Sequence, residues 1–289
     1  MTKMARRKVK EGFGMTIGRW VVRVFLFSWT VTIVFPMLWT IYTSFKTNKE
    51  FFANVWALPE KWMLENYSYA WSSAQFSDYF MNSLFVVVVA VTTLLIISSA
   101  TSYVIAKYNF KGIKILHRYY LVVMAVPGVL VLVPQYFMFM RNGLTDNLLV
   151  VALLTAIHAL PGNVIMQSAF MRTVDNALFE AADIDGASEF QKFFQIMVPC
   201  VRSCLFLTAL TGILGAWNDY ITPLTYIETE SKYTVSIGLT YLQNASTYGV
   251  EYGGLFAGLV IAMIPIIVVY LIFQKPLQEG LRTEGGVKG

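Results

Sequence analysis

The chain is poor in charge. Only 13% of its 289 residues are Asp, Glu, Lys or Arg, against 56% hydrophobic and 15% aromatic residues. Soluble domains carry roughly 25% charged residues, so a water-exposed globule is excluded, and the mean hydropathy of +0.57 agrees. Cysteine is nearly absent too. Cys200 and Cys204 stand four apart beside an apolar run and read as small buried hydrophobes on one helix face. Catalytic signatures are missing: there is no HExxH, no GxSxG and no grouped His/Cys ligand set. We therefore assign no catalytic residue and no metal site, and expect a chain that is not an enzyme. No GxxxxGK[ST] loop offers backbone amides to a nucleotide, so no cofactor is expected in this chain. The net charge of +5 sits at the ends of apolar runs, with no folded basic domain left to bind nucleic acid. The first apolar run is about membrane length and lacks a small-residue cleavage site, which argues against a removed leader.

What is present is a set of long apolar segments. About 20 such residues cross the hydrocarbon core, and six segments qualify, near 20–43, 80–106, 119–140, 147–169, 199–221 and 253–274. The fold class is an all-α integral membrane protein with six transmembrane helices. Lys and Arg concentrate in the arm 1–19, in the second connection (Lys107, Lys111, Lys114, Arg118) and in the tail 275–289, which places both termini in the cytoplasm. The segments 44–79 and 222–252 then become external loops, and 170–198 a cytoplasmic one.

The spans hold few polar groups at depth. Ion-coupled carriers place ionisable residues near the bilayer middle, whereas only His158 lies deep here, and it reads as hydrogen-bonded packing before proton relay. If a solute is moved uphill, the energy comes from another chain. Pro36, Pro127, Pro134, Pro161 and Pro265 interrupt the apolar runs, as suits a bundle lining a pathway. Gln135, Asn163, Gln167, Thr208, Thr211 and Trp217 are the candidates for facing such a cavity, with helix packing an equal alternative for each.

The loop 170–198 breaks the pattern. It carries five acidic residues, Asp175, Glu180, Asp183, Asp185 and Glu189, against Arg172 and Lys192. Basic residues favour the cytoplasmic face, so something besides topology shapes this loop; a docking partner is one reading and a solvated helical hairpin the other. Val174, Ala177, Leu178, Ala181 and Ile184 recur at helical spacing and mark an apolar face on a first short helix. Gly186 permits a bend. Phe190, Phe193, Phe194 and Met197 mark the apolar side of a second helix, until Pro199 opens the fifth span.

Glu180, Ala181, Ala182, Gly186, Ile196 and Pro199 match the EAA-x3-G-x9-I-x-x-P signature at full spacing. With WNDYITPLTYI at 217–227 and GGVKG at 285–289, the chain resembles the permeases of bacterial ABC importers of the carbohydrate-uptake, maltose-type family, in particular the MalG-like second permease. The resemblance covers all six spans. It implies a type I ABC importer permease fold in the bacterial cytoplasmic (inner) membrane, one half of a sugar pathway. The implied partners are a second, different permease, two ATPase subunits that hold ATP and Mg, and an extracellular or periplasmic sugar-binding protein, all in a lipid bilayer. Carried over, Glu180, Ala181, Ala182, Asp185, Gly186, Ala187, Phe190, Phe193 and Phe194 form the helix that couples to an ATPase. Gly285, Gly286, Val287, Lys288 and Gly289 form a tail between the ATPases. Leu239, Tyr241, Leu242, Gln243, Asn244 and Tyr248, in the external loop Gly238–Tyr252, meet the binding protein. Relatives often carry a second proline shortly after the first; none follows Pro199 here, so a less kinked start to the fifth span is expected.

Overall fold

A computed structural model of the chain describes residues 13–247 and 252–285, with side chains for 18–72, 74–244 and 252–275. Among the described residues the secondary structure is entirely helical. In chain order the helices are α1 (Phe13–Thr43), α2 (Asn48–Ala53), α3 (Glu65–Ser68, continued by a π turn over Tyr69–Ser73), α4 (Phe76–Lys107), α5 (Ile113–Ala125), α6 (Gly128–Arg141), α7 (Leu148–Arg172), α8 (Asn176–Ile184), α9 (Glu189–Gln191), α10 (Val198–Cys200), α11 (Arg202–Asn218), α12 (Ile221–Tyr226), α13 (Val235–Thr247) and α14 (Tyr252–Gly285). A π turn over Lys192–Met197 joins α9 to α10.

The long helices follow from uninterrupted apolar sequence with polar ends. α4 has Asp78 in its first turn and Lys107 in its last, each complementing the helix dipole. α7 starts at Asn147, whose side chain accepts the Leu149 amide at 2.9 Å. α4 lies at the centre, packed along α7 and α11. Val86, Ala90 and Leu94 of α4 meet Val151, Ala152, Leu154 and Ala156 of α7 in one buried cluster. Small hydroxyls let the backbones approach: the Ser102 hydroxyl donates to the Val164 carbonyl at 3.0 Å. Over residues 18–38 α1 is mainly apolar and exposed, as a lipid-facing helix should be. It joins the rest near its C-terminal end, where Trp39 sits edge-on to Phe256 of α14 at 5.2 Å.

Two segments are not single straight helices. α5 and α6 meet at 96°. Val126 precedes Pro127 and is forced out of the helical region (φ −84°, ψ 120°), so the expected third span over 119–140 breaks there. α4 ends beside residue 174, and α7 begins beside Tyr226 and Lys232, so α5 and α6 together still carry the chain from one end of the bundle to the other. The expectation of a weakly kinked fifth span fails. The helix Glu189–Cys200 meets α11 at 78°; the single Pro199 and the π turn before it already break the regular ladder. Among the described residues four helices are long and apolar enough to cross a membrane, and six spans result when each bent pair counts as one.

The expected external loops are structured. In 44–79, Thr47 and Glu50 form a capping box that starts α2. In 222–252, Val235, Leu239 and Leu242 fall at i, i+4 and i+7, which makes α13 an amphipathic helix with that side packed inward rather than a loop. Asp146 fastens this end of the bundle: it accepts from Lys232 at 2.6 Å and from the Thr229 hydroxyl at 2.8 Å, which together hold its carboxyl well below the usual carboxylate range.

One contact at this end gives a direct test. Asn66 donates to the carbonyls of Ser44 at 2.8 Å and Lys46 at 3.0 Å, tying α3 to the end of α1. Gly253, at the start of α14, lies against that tie: a Cβ there would stand 2.3 Å from the Asn66 amide and 2.6 Å from the Lys46 carbonyl. Gly253→Ala should lower stability by about 1–3 kcal/mol, the usual cost of overpacking. A fall in the thermal unfolding midpoint in detergent checks it, and an unchanged midpoint refutes the tie.

Candidate functional site: a clasped helical hairpin

Residues 173–200 fold as a hairpin at the end of the bundle where α4 and α7 finish. Asp175 caps α8 by accepting the Ala177 amide at 3.0 Å. The helix stops where Gly186 takes the left-handed conformation (φ +73°). The Gly186 amide then bonds the Asp183 carbonyl at 3.1 Å and the Ala187 amide the Ala182 carbonyl at 2.9 Å, the paired bonds of a Schellman stop. Ser188 starts the second arm at once through a capping box with Gln191.

Lys192 locks the two arms together. Its ammonium group bonds Asp183 of the first arm at 2.6 Å and pairs with Glu189 of its own, and the side chain is only 8% exposed. Glu189 also accepts from Tyr103 at 3.4 Å and from Tyr108, so the clasp extends to the end of α4. Burial and the bond to Glu189 push the Tyr108 hydroxyl up in pKa, so it remains a donor at neutral pH. Lys107 makes a second tie: it donates to the Val174 carbonyl at 2.6 Å and to Asn176 at 2.8 Å, and lies over the Phe179 ring at 4.7 Å. The sequence alone gives Lys192 no role and does not join the hairpin to Tyr103, Lys107 or Tyr108. The available signal was an isolated lysine, i+3 from Glu189, in an acidic loop.

The hairpin turns its apolar residues two ways. Phe179, Phe193 and Met197 pack inward with Tyr103, Met171 and Val201, and Ala182 is buried. The expected apolar face of the first helix is instead turned outward: Ala177, Leu178 and Ala181 are exposed, Ile184 is 87% exposed and Val174 is half-buried, while Phe179 and Ala182, which lie off that face, are inside. Phe190 is 75% exposed and its ring lies tilted against Phe194 at 4.6 Å between ring centres. Glu180, Asp185 and Gly186 are exposed, and Ala187 is half-buried. Beside the second arm runs an apolar groove of about 860 Å³, bounded by α4, α11 and Phe273, with Phe190, Phe193 and Phe194 along it and Glu189 and Arg202 among its polar lining.

The other expected site residues divide as follows. Gln167 and Thr208 are fully buried; the Gln167 amide donates to Ser98 at 2.8 Å and to Thr208 at 3.0 Å, stitching α7 to α4 and α11. Trp217 is buried and donates to the Ala262 carbonyl at 3.2 Å. These three join helices in this conformation. Gln135 is half-buried on α6. Asn163 and Thr211 line a recess of mainly apolar wall together with Thr155, His158 and Asp219, a grouping that the sequence alone does not give. In α13, Leu239 and Leu242 pack inward while Tyr241, Gln243 and Asn244 are exposed. Tyr248 lies outside the described residues, as do Gly286, Val287, Lys288 and Gly289; Gly285 is the last residue of α14.

Residues 98–283 match the family described as binding-protein-dependent transport system inner membrane component. The diacetylchitobiose uptake system permease protein NgcG of Streptomyces coelicolor is 32% identical over 250 residues, 86% of this chain and 83% of that protein. The arabinooligosaccharides transport system permease protein AraQ of Halalkalibacterium halodurans is 31% identical over 277 residues, 91% and 98% of the two chains. A bacterial ABC transporter involved in the import of the acidic polysaccharide alginate contains a chain of the same fold, at a TM-score of 0.79 and 20% identity, covering 93% of this chain and 99% of that one. Because the family match over residues 98–283 takes in the clasped hairpin, and NgcG is matched over 86% of the chain, the chain belongs to the family of binding-protein-dependent transport system inner membrane components, a non-catalytic ABC importer permease.

Proposed function

We propose that the chain is one permease of an ATP-driven importer of a sugar or oligosaccharide, paired with a second, different permease. The sugar assignment is supported by the names of several relatives, which are uptake permeases for diacetylchitobiose, arabinooligosaccharides and maltodextrin. Two cytoplasmic ATPases, holding ATP and Mg, seat against the permease pair, one of them on this chain's hairpin. A binding protein delivers sugar to the opposite end, where the exposed Tyr241, Gln243 and Asn244 of α13 are its contacts. The basic bias of the hairpin's side supports a cytoplasmic location for that side. Gly285, Gly286, Val287, Lys288 and Gly289 carry the tail contact with the ATPases.

One observation carries the reading: the hairpin is rigidly clasped and tied to α4, yet presents Glu180, Asp185, Ile184 and Phe190 outward. A solvated hairpin would bury large apolar residues or replace them with polar ones. Ile184 at 87% exposure on a fixed elbow is what a surface built to be covered looks like.

The test is reconstitution. The chain alone in proteoliposomes should accumulate no sugar with or without ATP, while the complex co-purified from its own membranes should accumulate it only with ATP. Accumulation by the chain alone would make it a self-sufficient carrier or channel and overturn the proposal.

A further inference from the structure

A recess with a mainly apolar wall and a few polar groups lies away from the hairpin, at mid-depth of α4 and α7 and toward the far end of α11, and has a volume of about 240 Å³. Its polar lining is Thr155, His158, Asn163, Thr211 and Asp219. His158 and Thr211 are exposed on this subunit taken alone, and Asn163 and Asp219 are half-buried. An imidazole at membrane depth is costly against lipid and belongs on a face turned to a wet cavity. The recess is built by two glycines one helical turn apart. A Cβ on Gly212 would meet Leu94 at 3.1 Å, so that glycine lets α11 close on α4, whereas a Cβ on Gly215 would meet nothing within 4 Å, so that glycine leaves the space open. The Asp219 carboxylate is fixed in place, accepting from the Thr155 hydroxyl at 3.2 Å and from the Thr222 amide at 3.1 Å.

Resting on the sugar-permease reading above, we propose that this recess is a sugar subsite belonging to this subunit, and that it takes uncharged, hydroxyl-rich rings and excludes uronates. Amide, hydroxyl and imidazole groups offer the mixed donors and acceptors that sugar hydroxyls need. Asp219 is the one carboxylate in the lining, and neither Lys nor Arg lines the recess to neutralise an acidic ring. A second carboxylate there would meet poorly screened repulsion. The space falls below the roughly 300–1,000 Å³ of sites for whole drug-sized ligands, so it accepts one ring of a chain in transit.

The experiment uses the complete transporter in nanodiscs: this chain with its co-purifying permease, ATPases and binding protein. The probe is a diazirine-bearing neutral N-acetylated disaccharide, with labelled peptides mapped by mass spectrometry. Labelling is expected on peptides of α7 and α11, competed by the plain neutral disaccharide and about tenfold less well by the matching uronic-acid disaccharide. Gly215→Leu fills the recess and should remove that labelling while ATPase co-purification and basal ATP turnover persist; Gly215→Ala should leave it largely intact. Equal competition by the uronate, labelling indifferent to Gly215→Leu, or labelling confined to the partner permease would each overturn the subsite. If the parent complex transports neutral sugar while α7 and α11 stay unlabelled, the subsite alone falls. If it transports no sugar at all, the sugar-permease reading falls with it.

Discussion

Gly186→Leu is expected to yield a chain that inserts and pairs with its partner permease but co-purifies with the ATPases at least about tenfold less well. Two terms add. Gly186 sits at φ +73°, where a residue with a Cβ is strained by roughly 1–2 kcal/mol. It also stands on the exposed elbow, where a Cβ meets nothing in this subunit, so a leucine projects into whatever covers the elbow, and overpacking a formed contact costs about 1–3 kcal/mol. Either term near its upper limit suffices, since about 1.4 kcal/mol is a factor of ten. A short series separates them. Strain alone ranks Gly186→Ala and Gly186→Leu together and spares Gly186→Asn, because asparagine tolerates the left-handed region. A covered elbow spares Gly186→Ala and punishes leucine most. The measurement is ATPase recovery with the tagged permease, together with sugar-dependent ATP turnover. A leucine variant matching the parent in both would leave the hairpin a solvated turn with no partner.

The sequence made the bundle legible where one physical constraint dominates. Apolar runs long enough to cross a membrane can do little else, and α4, α7 and α14 lie where 80–106, 147–169 and 253–274 indicated. It was least legible where two constraints compete. Val126 belongs to an apolar run by composition but to a helix break by its position before Pro127, and hydropathy cannot see that conflict. Residues 235–247 have the polarity of a loop and the spacing of a helix, and the spacing prevailed because Leu239 and Leu242 had a core to pack against. The hairpin shows the same division. Gly186 is legible as the bend, whereas which apolar residues face inward is decided by packing against Tyr103 and Met171. Phe179 went in and Ile184 stayed out. For the pathway candidates, residue type alone cannot distinguish an amide that joins three helices, as Gln167 does, from one that lines a recess, as Asn163 does.

The second large effect is expected at Lys192. A docked hairpin transmits motion only if its arms move as one body and that body is attached to a helix that crosses the membrane. Here a single side chain serves both needs. Its ammonium group joins Asp183 on the first arm to Glu189 on the second, and Glu189 in turn receives the Tyr103 and Tyr108 hydroxyls at the end of α4. Lys192→Met keeps the length and apolar stem of the side chain and removes the charge. Two carboxylates then face each other without a cation between them, and the arms separate. Because Asp183 and Glu189 are themselves 59% and 56% exposed, water relieves much of that repulsion, so the chain should still insert and still recover ATPase. What it should lose is coupling: ATP turnover that no longer rises with sugar-loaded binding protein, and uptake reduced to background. Lys192→Arg, which can still bridge both carboxylates, should restore most of the stimulation. The Lys107 tie to residues 174 and 176 remains in both variants, so failure cannot be laid to loss of the first arm alone. Sugar-stimulated ATP hydrolysis in Lys192→Met equal to the parent's would show that the clasp is a folding contact and that motion reaches α4 by another route.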